Sequence, residues 1–287
     1  MKNKTILILL TSVILVMASI AAGTGIFSNE GPGPFEYKSI HGESVQIYGK
    51  GVYSYMSAEL APQGIAQDFI TLFLALPVLL ISLVYSLKGS VRGKLVHTGV
   101  TSYLFVTYLF YLAMGTYSYL FLVYVILLGS TAASLTLGML SLGQIDLPGQ
   151  LKQQAPVKAA GSFLIFNGLA IGLLWLGRVV PPLIDGTIYP EGLDHYTTMI
   201  VQGFDLALLL PLSIVSGFLL YQRNEAGILL GIVYLVFLSI LMTSLTAKII
   251  YMGILGQNII PVVFIIPVFM LTAYGFSYSL IKKLRLN

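Results

Sequence analysis

"QGFDLALLLPLSIVSGFLLY", residues 202–221, is a run of twenty residues with one charge in it, Asp205. A helix that crosses a bilayer needs about 20 mostly apolar residues, and this stretch supplies them. The same pattern recurs along the chain. Eight such windows are predicted, at approximately 5–26, 66–87, 95–115, 118–142, 159–182, 199–221, 226–248 and 257–281. Only 9% of the 287 residues are charged and 57% are hydrophobic, whereas soluble domains carry roughly 25% charged residues. The expected fold is therefore an all-α polytopic membrane bundle of about eight helices, forming one integral domain over residues 1–287.

Basic residues orient the bundle. Lys2, Lys4, Lys88, Arg92, Lys94, Lys152, Lys158, Arg223, Lys282, Lys283 and Arg285 fall at one end, eleven of the fifteen. The other four are Lys38, Lys50, Arg178 and Lys248. Positive loops stay cytoplasmic, which predicts both termini inside a bacterial cytoplasmic membrane. Lys2 and Lys4, the following apolar run and "MASIAAG" at 17–23 also describe a signal peptide. The run is about 18 residues, long for such a signal, which favours a retained helix. The net charge of +4 is accounted for by topology. No basic face with interleaved aromatics lies outside the membrane, so no nucleic-acid partner is expected.

Residues 28–65 form the one long outer loop. "NEGPGPFEY" breaks any helix. "ESVQIYGKGVYSY" at 43–55 reads either as a hairpin turning at Gly-Lys-Gly or as an irregular loop with its tyrosines at the headgroups. The stretch "LGQIDLPGQLKQQAPVK" separates two four-helix halves. Ser82 and Gly93 lie five and sixteen residues beyond Pro77; Ser216 and Gly227 lie five and sixteen beyond Pro211. The pattern suggests a four-plus-four parallel repeat of a kind some transporters use, although chance recurrence of such common residues would look similar. The acidic positions break it: Asp68 is nine residues ahead of its proline, Asp205 six.

Asp205 sits about seven residues into the sixth span, roughly 10 Å at 1.5 Å per residue. A carboxylate at that depth costs a few kcal/mol unless paired or wetted. Arg178, Lys248, Asp68, Gln67 and Gln202 are the partners expected near it, in a polar cluster opening outward, with Pro77 and Pro211 kinking the helices below. Two readings stand. One is a ligand or ion site. The other is structural: an Arg178–Asp205 ion pair, Asp68 capping its helix N-terminus, where the dipole favours it, and Lys248 snorkelling to the headgroups. Asn167 with Gly168 and Gly172 reads as close helix packing with an interhelical hydrogen bond. Gly227 and Gly231 repeat the small-residue spacing in the seventh span. Tyr103, Thr107 and Tyr111 share a helix face that reads more readily as packing than as a cavity wall.

Enzyme signatures are absent. The chain has no cysteine, which removes disulfides and thiol chemistry. His41 and His195 belong to outer loops and His97 to the opposite end, so no metal or haem site is expected. "GTGIFS" follows a helix instead of a strand, and "SLIK" lacks companion motifs. No cofactor is implied, and no protein partner can be named.

The stretch "YGKGVYSYMSAELAPQGIAQDFITLFLALPVLL" at 48–80, with "GFDLALLLP" at 203–211, resembles a family of bacterial multi-spanning membrane proteins to which no activity is assigned. The resemblance implies an inner-membrane protein and no substrate. Similar members carry an aspartate where this chain has Met56, so a family role of that position does not carry over. The expected function is binding or transport of a small polar or amphiphilic solute at an outward-facing site. A non-transporting accessory or sensory subunit is the competing class.

Overall fold

The computed structural model describes residues 2–285. Among them, eight helices are long and apolar enough to span a membrane. They are α1 (Lys2–Phe27), α2 (Ala61–Leu87), α3 (Val91–Met114), α4 (Phe121–Leu142), α5 (Val157–Val179), α6 (Ile200–Tyr221), α7 (Glu225–Ile254) and α8 (Val262–Lys282). The protein is an all-α, multi-pass membrane protein. Helices α3 and α7 are its axis. Their most apolar windows are 61% and 72% buried within the bundle, against 17–39% for the others. They meet where Gly99 lies against Val236 and the Val233 carbonyl, too close for a Cβ at that position. The remaining helices present Leu, Ile, Val and Phe outward, as a lipid-facing surface must.

The second and sixth spans, with the turns and helix starts that follow them, repeat at a constant separation. In α2, α-helix runs over Ala61–Ile70, widens to a π-helical segment at Thr71–Ala75, and resumes over Leu76–Leu87. In α6 the corresponding pieces are Ile200–Phe204, Asp205–Leu209 and Leu210–Tyr221. Thr71 and Asp205 differ by 134 positions (205 − 71), and so do Pro77 and Pro211, each the second residue of the resumed helix. A proline has no N–H for the carbonyl four residues back and its ring crowds that carbonyl. Widening the preceding turn by one residue accommodates both.

The same shift holds through the next turn. Gly89 and Arg223 both take positive φ, 89° and 55°. Ser90 N–H donates to the Tyr85 carbonyl, as Asn224 N–H does to that of Leu219. Ser90 and Asn224 then cap α3 and α7 through their side chains, satisfying amides that a helix start leaves open. Gly93 and Gly227 pack directly on the backbones of residues 85–86 and 219–220. The register also explains the mismatch of the acidic positions: Asp68 corresponds to Gln202, and Asp205 to Thr71.

The end carrying both termini is tied by backbone carbonyls. Arg92 donates to Lys282 and Leu284, and Arg223 to Lys152 and Gln153. The opposite, loop end carries a hairpin, β1 (Phe35–Lys38) against β2 (Ser44–Ile47), antiparallel. Its turn therefore lies at residues 39–43 and not at Gly-Lys-Gly. Gly49 and Gly51, at φ 74° and 57°, instead pass so close to Gly33 and Ser28 that a Cβ would collide. They lead into a 3-10 turn, Gly51–Tyr53, which drops Tyr53 into the bundle. The second loop docks on the first. His41 Nε2 lies 3.3 Å from the Tyr196 carbonyl and His195 Nε2 2.9 Å from that of Tyr55.

Candidate functional site

A cavity of about 230 Å³ lies at the loop end between the two halves. Helices α2 and α3 supply one side, α5, α6 and α7 the other, and the 3-10 turn with Tyr53 and Met56 forms part of the wall. Most of the lining is apolar, from Val106, Phe110, Leu241 and Leu245 among others. Its polar lining includes Gln67, Thr107, Tyr111, Trp175, Asp205 and Lys248.

Asp205 and Lys248 both face this space. One Asp205 oxygen, Oδ2, accepts a 2.8 Å hydrogen bond from Trp175 Nε1. Lys248 lies within electrostatic reach of Asp205 and Asp68. No hydrogen bond to its ammonium is found among the described residues. It was expected near the end of its helix, where it could reach the headgroups. Helix α7 instead continues six residues further, to Ile254, which leaves Lys248 against the cavity.

Gln67 and Asp68 stand side by side in sequence and do different things. The Gln67 amide donates to Tyr103 and Thr107, each at 2.9 Å, and its carbonyl accepts from Ser244 at 2.6 Å. It thereby fastens α2, α3 and α7 together. Asp68, only 1% exposed, is not part of the cavity wall. Its oxygens accept from Tyr53 Oη at 2.5 Å and Tyr111 Oη at 3.0 Å. It also fills the space above Gly25 of α1, where a Cβ would strike its carboxyl group. Asp68 is the eighth residue of its helix, so capping the N-terminus is not its role. Tyr53 lies outside the spans. Burial first, and the Asp68 charge second, hold its phenol well above the ordinary value of 10.

Two expected site residues are elsewhere. Arg178 does not pair with Asp205. It is exposed at the loop end, where Nε and Nη2 donate to the Glu191 carbonyl at 3.2 and 2.9 Å and brace the second loop, residues 186–199. Gln202 does not line the cavity. The Tyr103–Thr107–Tyr111 face, expected to be packing, is what grips Gln67 and Asp68, and two of its members reach the cavity. Asn167 is buried with Oδ1 unpartnered, although Gly168 does pack closely on α6. Trp175 was missed. It is the chain's single tryptophan, and an indole N–H buried in a span needs an acceptor. That was the available signal.

Compared with known proteins, the chain matches no family model, no curated protein and no solved structure.

Proposed function

We propose that the protein binds a small zwitterionic or amphiphilic solute in the cavity between its halves and passes it across the membrane. The observation that carries this reading is the separated pair of charges, Asp205 and Lys248, facing one enclosed space. Opposite charges in a low-dielectric site attract strongly, and neither is cancelled by a directly bonded counter-charge. A solute head with its own cation and anion fits between them. The apolar wall of Val106, Phe110, Leu241 and Leu245 would take its body. At about 230 Å³ the space is below the usual range for drug-sized ligands, so the solute is small. A site at the interface of two repeats also suits alternating access. We place the loop end outside a bacterial cytoplasmic membrane and both termini inside, because eleven basic residues cluster at the terminal end.

Trp175 reports on the site. The protein in nanodiscs is titrated with a panel of apolar amino acids and short zwitterionic amphiphiles while its single tryptophan emission is followed. A saturable shift is expected for at least one compound, lost in Asp205→Asn and weakened at least ten-fold in Lys248→Met, about 1.4 kcal/mol. If no compound shifts the emission, or if both variants respond as the parent does, the reading fails. Because the chain lacks cysteine, Lys50→Cys and Arg92→Cys separately test sidedness. An impermeant thiol reagent on intact cells should label position 50 and spare position 92.

A further inference from the structure

A second cavity, of about 310 Å³, lies at the terminal end within the first half, between α1, α2, α3 and α4. Its floor carries Ser86, His97 and Thr98, all buried. Its mouth carries Lys4, Lys94, Ser141 and Gln144, and no carboxylate lines it among the described residues. His97 Nε2 lies 3.1 Å from Thr11 Oγ1. Lys4 Nζ donates to the Leu87 carbonyl at 3.1 Å, which pins the start of α1 beside the end of α2. The Lys94 ammonium makes no hydrogen bond among the described residues.

The second half shows the corresponding place filled by apolar side chains. At the same shift of 134, Ser86 corresponds to Leu220, Lys94 to Ile228 and His97 to Gly231. Leu220 is fully buried and Ile228 1% exposed, and Gly231 sits tightly on the Leu220 side chain. Apolar residues close the space in one half; polar and cationic ones line an open space in the other. His97, only 2% exposed, is a polar group that packing alone does not call for beside a void, and two ammonium groups from different helices stand over it at the terminal end.

We propose that this cavity is a phosphate site, occupied by the headgroup of an anionic phospholipid from the surrounding leaflet. Two ammonium groups and the hydroxyls of Ser86 and Ser141 supply the donors a phosphodiester accepts, while Thr98 donates its own to the Lys94 carbonyl at 2.8 Å. Leu7, Leu137 and Leu140 continue the same wall, and Leu140 is 63% exposed. An acyl chain can therefore leave along the outside of α4 while the phosphate stays between the lysines. Basic pockets between helix ends hold such headgroups by the same chemistry. A soluble phosphate would use the same donors without the leucines.

The test uses the full-length protein in phosphatidylcholine nanodiscs doped with spin-labelled phosphatidylglycerol or spin-labelled phosphatidylcholine. The parent should immobilise the anionic label selectively. Lys94→Ile, which copies the second half, and Lys4→Gln should each lower that selectivity roughly five-fold. Lys158→Gln, a basic residue at the same end of the other half, should leave it unchanged. In the unaltered protein, acylation of Lys94 should be slower in phosphatidylglycerol than in phosphatidylcholine vesicles. Protection by inorganic phosphate in pure phosphatidylcholine would keep the phosphate site and make its source soluble. The proposal is overturned if Lys94 reacts equally fast under all three conditions, or if both variants keep the parent's selectivity.

Discussion

Helices α2 and α6 carry the same break, a π segment ahead of a proline, and put it to opposite uses. In α2 the polar residues beside the break are saturated. Gln67 spends its amide on three partners and Asp68 accepts from two tyrosines. In α6 the carboxylate falls inside the π segment itself, and Asp205 keeps one oxygen free of the Trp175 bond, toward the cavity. The features the halves share are those that backbone geometry dictates: proline, capping residue, glycine contact and positive φ. The features that differ are side chains free to change once the skeleton stands. One half has become an anchor, and the other carries the open charge.

The largest effect should come from exchanging a packing residue between halves. Gly217 meets Gly161 of α5 backbone to backbone, and a Cβ on Gly217 would press on the Gly161 carbonyl and Ile165 N. Its counterpart at the 134 shift is Leu83, which is buried. Gly217→Leu should cost about 3 kcal/mol or more, the upper range for overpacking, because rigid backbone blocks relief. Leu83→Ala removes volume without a collision and should cost about 2 kcal/mol. Unfolding in mixed micelles measures both. A Gly217→Leu protein as stable as the parent would show that the α5–α6 crossing does not depend on close approach.

The spans were legible because apolar length alone defines them, and the repeat was visible in the spacing of proline, serine and glycine. What could not be read was rotation and depth. Arg178 looked like the natural partner of Asp205. Trp175, three residues earlier and so about 4.5 Å deeper, is the side chain that arrives. Gln202 is at the right depth, yet it contributes nothing to the cavity wall. Lys248 reads as a helix-end residue only if residues 249–254 are given to the loop, whereas the helix continues through them to Ile254. The hairpin was displaced because Gly49 and Gly51 carry no label telling a strand turn from a chain crossing. Their neighbours in space, Gly33 and Ser28, decide that, and they are distant in sequence.

A smaller effect distinguishes the two carboxylates. Asp68→Ala removes the carboxylate that accepts from both Tyr53 and Tyr111, leaving Tyr111 only the Gly64 carbonyl, and should cost about 2–3 kcal/mol, the range for hydrogen bonds to a charged group. Asp205→Ala breaks one bond beside an open cavity, and water can replace the carboxylate. Its cost should stay below about 1 kcal/mol. The same micelle unfolding assay ranks them. Equal losses would mean that Asp205 is as much a structural anchor as Asp68, and the division of labour between the halves would collapse.

The smallest expected effect concerns how the first loop, residues 28–60, is held, compared with the second. The second loop is braced by Arg178 on the Glu191 carbonyl and by the His41 and His195 contacts with the first loop. The first hangs on Tyr53, whose phenol must stay neutral to donate to Asp68. Burial raises its pKa above 10 in the folded protein, so the folded state holds that proton more tightly than the unfolded chain. The resulting stability is complete below pH 10 and is lost as pH rises through the folded value. Tyr53→Phe keeps the ring and removes the hydroxyl, so it should cost about 1 kcal/mol at neutral pH. Above pH 10 the difference in melting temperature between parent and variant should shrink toward zero. A difference that stays constant across that range would mean the phenol's proton is not what secures the loop, and packing of the ring against Gly64 would then be its whole contribution.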